Sequence, residues 1–139
     1  MPLAMDKDAL TQFLASDFSQ VDGMFTIESI GEMEAVIRLN VREEHLRPGG
    51  TVSGPSMFAL ADVSVYLAIL AMIGPKALSV TTNCSIDFMR KPEAGRDLLC
   101  HVRLLKLGRV LAVGDCLLFS EGSDQAVARA SLTYSIPPK

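Results

Sequence analysis

Residues 55–73 constrain this chain more than any other segment. Of these nineteen residues only Ser56, Asp62 and Ser64 are clearly polar, and Gly74-Pro75 closes the run. Proline at the start and glycine past the end punctuate a helix. A helix apolar on every side is either enclosed by protein or lies in a bilayer. The bilayer placement needs about 20 apolar residues and puts Asp62 mid-span, at a cost of roughly 2.5–3.5 kcal/mol. The chain is therefore expected to bury this helix and not to span a membrane. In a chain of 139 residues, only a sheet offers enough surface to cover all its sides.

The flanking sequence supplies such a sheet. Residues 6–17 carry Ala9, Leu10, Phe13 and Leu14 at helical spacing behind a capping Asp6, which predicts a short amphipathic helix. Residues 24–30 and 34–41 read as a hairpin turning over 29–33, and 42–54, with Pro48-Gly49-Gly50, reads as a loop. Beyond the long helix come four strand-like runs. Over 79–88, Val80, Thr82, Cys84, Ile86 and Phe88 alternate with Ser79, Thr81, Asn83, Ser85 and Asp87, so one face is wholly polar. Runs 97–106, 110–119 and 125–136 follow, divided by the turn signals Leu107-Gly108-Arg109 and Glu121-Gly122-Ser123-Asp124. The expected order is helix, two strands, long buried helix, four strands, in one domain over 1–139.

Charge and cysteine usage exclude several function classes. A net charge of −3 argues against a nucleic-acid partner, which needs many cations to neutralise phosphates. Three widely spaced cysteines, Cys84, Cys100 and Cys116, read as reduced thiols and not as a disulfide framework. The first twenty residues hold Asp6, Lys7, Asp8 and Asp17 and no apolar run of signal-peptide type, so a cytoplasmic location is expected. His45 and His101 lie at no metal-ligand spacing, and Cys100 and His101, adjacent on a strand, point to opposite faces. Gly54-Pro55-Ser56-Met57-Phe58 fails the Gly-x-Ser-x-Gly elbow at its last position. Neither a metal nor another cofactor is expected.

The stretch His45-Leu-Arg-Pro-Gly-Gly-Thr-Val-Ser-Gly-Pro-Ser-Met-Phe-Ala-Leu-Ala-Asp62, with Thr81-Thr-Asn-Cys-Ser-Ile-Asp-Phe88 and Arg90-Lys-Pro92, resembles the hotdog-fold acyl-CoA thioesterases, most closely their phenylacetate-degradation branch. That resemblance implies an α+β hotdog fold, a curved antiparallel sheet wrapped around one long central helix. It also implies roles. Gly54 matches the glycine whose N–H polarises the thioester carbonyl, Asp62 the helix acid that acts as nucleophile or general base, and Thr81 the hydroxyl that positions water. Two positions depart from the pattern: Ser53-Gly54-Pro55 stands where the family has His-Gly-Gly, and Arg47 replaces a loop asparagine. These positions, Arg47, Ser53 and Pro55, together with Arg90 and Lys91, are expected to contact substrate. Met57 and Phe58 read either as core or as lining of an acyl pocket.

Elementary chemistry leads the same way. Hydrolysing a thioester requires a donor for the oxyanion and a base or nucleophile for the carbonyl carbon. The first N–H groups of a helix have no intrahelical partner and sit at the positive end of its dipole, and Gly54 has no side chain to block approach. An ionised carboxylate in so apolar a helix is costly unless it is used or paired. Gly54 and Asp62 are eight residues apart, about 12 Å along one helix. A carbonyl held by one cannot be attacked by the other, so catalysis implies two helices meeting across a two-fold axis. A homodimer is expected, with a homotetramer left open.

Between Arg90 and Arg109 lie six basic residues against Glu93 and Asp97, a local +4 suited either to coenzyme A phosphates or to a solvated sheet edge. Two further functions fit the sequence: a 3-hydroxyacyl thioester dehydratase using His45, and a non-catalytic acyl-CoA or lipid carrier.

Overall fold

The first helix, α1 (Lys7–Asp17), begins where its cap stands: the Asp6 side chain accepts a hydrogen bond from the Ala9 N–H at 2.8 Å. A computed structural model describes residues 2–138. Leu10, Phe13 and Leu14 form the buried face of α1, and the N–H groups of Ala4 and Met5 both donate to the Ala71 carbonyl. The expected hairpin is formed by β1 (Phe25–Gly31) and β2 (Glu34–Leu39).

The long helix α2 (Gly54–Ile73) starts at Gly54 because Ser53 caps it, accepting from the Ser56 N–H at 3.3 Å. It ends at Gly74, whose φ of 94° only glycine adopts freely and whose N–H donates to the Leu70 carbonyl at 2.8 Å. Four strands follow, β3 (Val80–Phe88), β4 (Leu98–Leu107), β5 (Leu111–Ser120) and β6 (Ala126–Ser135).

Among the described residues the six strands form one antiparallel sheet in the order β1-β2-β4-β5-β6-β3. This sheet covers α2, thirteen of whose residues are buried. By length and composition α2 could cross a membrane, but 72% of its apolar window lies inside the fold. Gly114 marks a close approach of helix and sheet: a Cβ there would sit 3.1 Å from Val65 Cγ1. Cys100 is fully buried while the adjacent His101 lies on the outer face, its ring 5.0 Å from that of Phe119. The three cysteines are free thiols.

Strand β3 is an edge. It pairs with β6 on one side, and Leu78, Val80, Phe88 and Met89 stand exposed on it or at its ends. An unpaired edge with apolar side chains is a template for a further strand.

Candidate active site

The acid of α2 is held by two strands that a single extra residue brings into line. Strict alternation along β3 puts Thr81 on the polar face with Asn83 and Ser85, and the structure corrects this. Pairing steps from Thr81↔Tyr134 to Asn83↔Thr133, so Thr82 is a bulge without a partner. A one-residue slip exchanges the faces of a strand. Thr81 therefore shares the inner face with Cys84 and Ile86, and with Tyr134, its partner on the same rung.

Both hydroxyls reach Asp62. Thr81 Oγ1 donates to Asp62 Oδ1 through a short hydrogen bond. The Tyr134 hydroxyl shares its proton between Oδ1 at 2.7 Å and the Asp62 carbonyl at 2.9 Å. Oδ1 thus takes two donors, whereas Oδ2 accepts no hydrogen bond among the described residues. Burial, reinforced by the charge of Asp62, raises the Tyr134 phenol well above its ordinary range, so it stays protonated and remains a donor. Burial likewise raises the Cys84 thiol, with Asp62 adding to the effect.

Beside Asp62 lies a cavity of about 400 Å³, bordered by Phe18, Tyr66, Val80, Thr81 and Tyr134 among others. Its aromatic side chains support one another: Phe18 meets Tyr66 edge-on at 5.9 Å, and Tyr66 lies 6.1 Å from Tyr134. The Tyr66 hydroxyl is satisfied by the Ala77 carbonyl at 2.9 Å. Burial, then the charge of Asp17, raises the Tyr66 phenol.

Gly54 stands at the opposite end of β3. A Cβ on Gly54 would lie 3.2 Å from Phe88 Cζ, whereas Asp62 is bound to Thr81, near the other end of the same strand. Within the chain the helix N-terminus and the acid do not converge.

The remaining expected residues gather near Gly54, and none borders the cavity at Asp62. Ser53 is the helix cap, Pro55 is exposed, and Phe58 is exposed beside them. Met57 joins the buried core. Arg47 is exposed in a tight turn closed by the Leu46–Val52 bridge, its N–H donating to the Thr51 carbonyl at 2.9 Å. Arg90 and Lys91 are exposed just beyond Phe88; Arg90 Nε donates to the Ala126 carbonyl at 3.1 Å and Nη1 to Gln125 Oε1 at 2.9 Å.

The basic cluster expected between Arg90 and Arg109 is not one patch. Strand β4 separates its ends by about 30 Å at 3.3 Å per residue. Arg96 is engaged by Glu93 at 2.5 Å and Arg103 lies 3.7 Å from Glu34. Arg90 and Lys91 follow directly on Phe88, whose ring lies against Gly54.

His45 is buried, its Nδ1 accepting from the Arg42 N–H at 2.9 Å, and its Nε2 has no partner among the described residues. Burial lowers its pKa below the usual 6.5. Below pH 6.5 the unfolded chain therefore binds a proton that the folded chain resists, so stability is complete above that pH and falls as pH drops toward the lowered value. Thermal melts from pH 7.5 to 5 are expected to show a falling Tm, with a shallower slope in His45→Asn. Parallel slopes would remove His45 as the cause.

Tyr134, Tyr66 and Phe18 escaped the sequence reading. The signal for Tyr134 was present: a tyrosine on the apolar alternation of the last strand must find a hydrogen-bond partner, and the long apolar helix offers one acid.

The thioesterase superfamily model matches residues 49–127, from the loop before α2 into β6. The chain belongs to the thioesterase superfamily. Human acyl-coenzyme A thioesterase 13 is 27% identical over 120 residues, covering 86% of this chain and 84% of that protein. A candidate thioesterase from Silicibacter sp. TM1040 superposes with a TM-score of 0.93 at 64% identity, over 99% of this chain and 96% of that one. A variant of the phenylacetic acid degradation protein PaaI from Thermus thermophilus gives 0.72 at 28% identity, over 86% and 99%. A Streptococcus mutans protein bound to acetyl-CoA gives 0.71 at 25%, over 83% and 90%. The hotdog fold and the resemblance to the phenylacetate branch are thus both found, and the superfamily match with the acyl-coenzyme A thioesterase relative supports thioester hydrolysis in general terms.

Proposed function

We propose that this thioesterase hydrolyses acyl-CoA thioesters at a site shared by two protomers. The observation that carries the reading is Asp62, a carboxylate with one oxygen held and the other unengaged beside a cavity. Gly54 of one protomer offers its N–H to the carbonyl oxygen, and Asp62 of the other acts on the carbonyl carbon, either through water or as nucleophile. Through water, the new C–O bond to the water oxygen replaces the C–S bond and the proton Asp62 takes is returned to the departing coenzyme A sulfur. As nucleophile, Asp62 takes the acyl group from sulfur as an anhydride, which water then opens to the free acid, restoring the carboxylate and supplying the proton of the thiol. Strand β3 is a sheet edge with Val80 and Phe88 exposed; antiparallel pairing of two such edges about a two-fold axis would set the Gly54 end of one protomer beside the Asp62 end of the other.

Arg90 and Lys91, at the Gly54 end, are suited to coenzyme A phosphates. The acetyl-CoA held by the Streptococcus protein favours the same ligand. A dehydratase role for His45 is disfavoured by its buried ring. Unpaired thiols accord with a cytoplasmic site of action.

A panel of acyl-CoAs followed with a thiol reagent tests the reading. Release of free coenzyme A is the expected result. Formation of an enoyl product without release, or binding without turnover, would replace it with the dehydratase or the carrier.

A further inference from the structure

The hydrogen-bond pattern at Asp62 also bears on which oxygen reacts. Asp62 is only partly buried, and Thr81 already provides one hydroxyl to its carboxylate. Tyr134 comes from a different strand, is itself buried, and reaches both Oδ1 and the backbone carbonyl of the same residue. A free carboxylate turns about its last torsion with little preference. One gripped twice at Oδ1, by a donor that also holds its own main chain, presents a single oxygen outward.

We infer that Tyr134 is a positioning residue of the reaction, acting with Thr81 to hold Oδ1 of Asp62 so that Oδ2 is the oxygen that meets water or the acyl carbon. The inference rests on the proposed role of Asp62 in hydrolysis. The arrangement depends on the bulge at Thr82, without which Thr81 would face away from both Tyr134 and Asp62. Charge-assisted hydrogen bonds fix geometry more firmly than neutral ones, and small displacements of a reacting group are expensive in rate.

The test is Tyr134→Phe, assayed for coenzyme A release from the best acyl-CoA of the panel, alone and combined with Asp62→Asn. The single variant is expected to lose about tenfold or more in kcat, the size of one hydrogen bond to a charged group, with KM little changed. In the Asp62→Asn background the same substitution is expected to have no further effect, because the oxygen it aims is no longer a base. A residue that only supports the fold would lower both backgrounds alike.

Wild-type kcat in Tyr134→Phe, a loss confined to KM, or equal losses in both backgrounds would each overturn the inference. Full turnover in Asp62→Asn alone would instead overturn the hydrolytic role of Asp62. Should Tyr134→Phe fail to fold, 3-fluorotyrosine at position 134 retains shape and hydroxyl while changing donor strength. A change in kcat at constant KM then supports the inference, and unchanged kcat rejects it.

Discussion

Asp62→Asn is expected to lower kcat by about 10² or more, the usual consequence of losing a general base. The substitution is close to isosteric. Its amide oxygen still accepts from Thr81 and Tyr134, the two donors that hold the native carboxylate, so the helix and both strands keep their contacts. What disappears is basicity at the unengaged position, Oδ2. The loss therefore belongs to kcat, while KM and the melting temperature change little. Steady-state coenzyme A release, with a thermal melt on the same preparation, measures both. Turnover at the wild-type level would remove Asp62 from the chemistry.

Gly54→Pro is expected to be comparably damaging, lowering kcat by about 10²–10³ as removal of one oxyanion donor does. Proline deletes the N–H at the first helical position, where a helix tolerates it best. Phe88, close to Gly54 and half-exposed, has room to yield. The stronger form of the test combines the two inactive chains. A heterodimer of Gly54→Pro with Asp62→Asn contains one site built from an intact Gly54 and an intact Asp62, and one with neither. Differently tagged chains, co-expressed and purified through both tags, are thus expected to recover one working site of two. Complementation fails if each protomer houses its own site, and a fully active monomer would exclude the shared site outright.

The architecture was readable from residue order because each element announces itself locally. Asp6 caps α1, and Gly74 closes α2 at a backbone angle that suits glycine. The greasy run between them and the alternating strands required a sheet wrapped around a helix. Asp62 stood out for the same reason, as a charge where burial disfavours charge.

Its surroundings were less legible. The face on which Thr81 lies depends on the bulge at Thr82, a matter of pairing register between β3 and β6 that no composition rule encodes. Tyr134 is seventy-two residues from Asp62 in the chain, and only strand order brings them together. The run of basic residues after Arg90 looked like one patch because sequence distance is short, but an extended strand converts ten residues into a long separation.

Capping residues, hydrophobic period and the lone acid of α2 act over a few neighbouring positions, so the linear order of residues settled the elements, their sequence and the key carboxylate. Which oxygen of that carboxylate is held, and by whom, was settled by folding alone. Hydrogen bonds between distant strands depend on register, and register is set by the packing of the whole sheet against its helix.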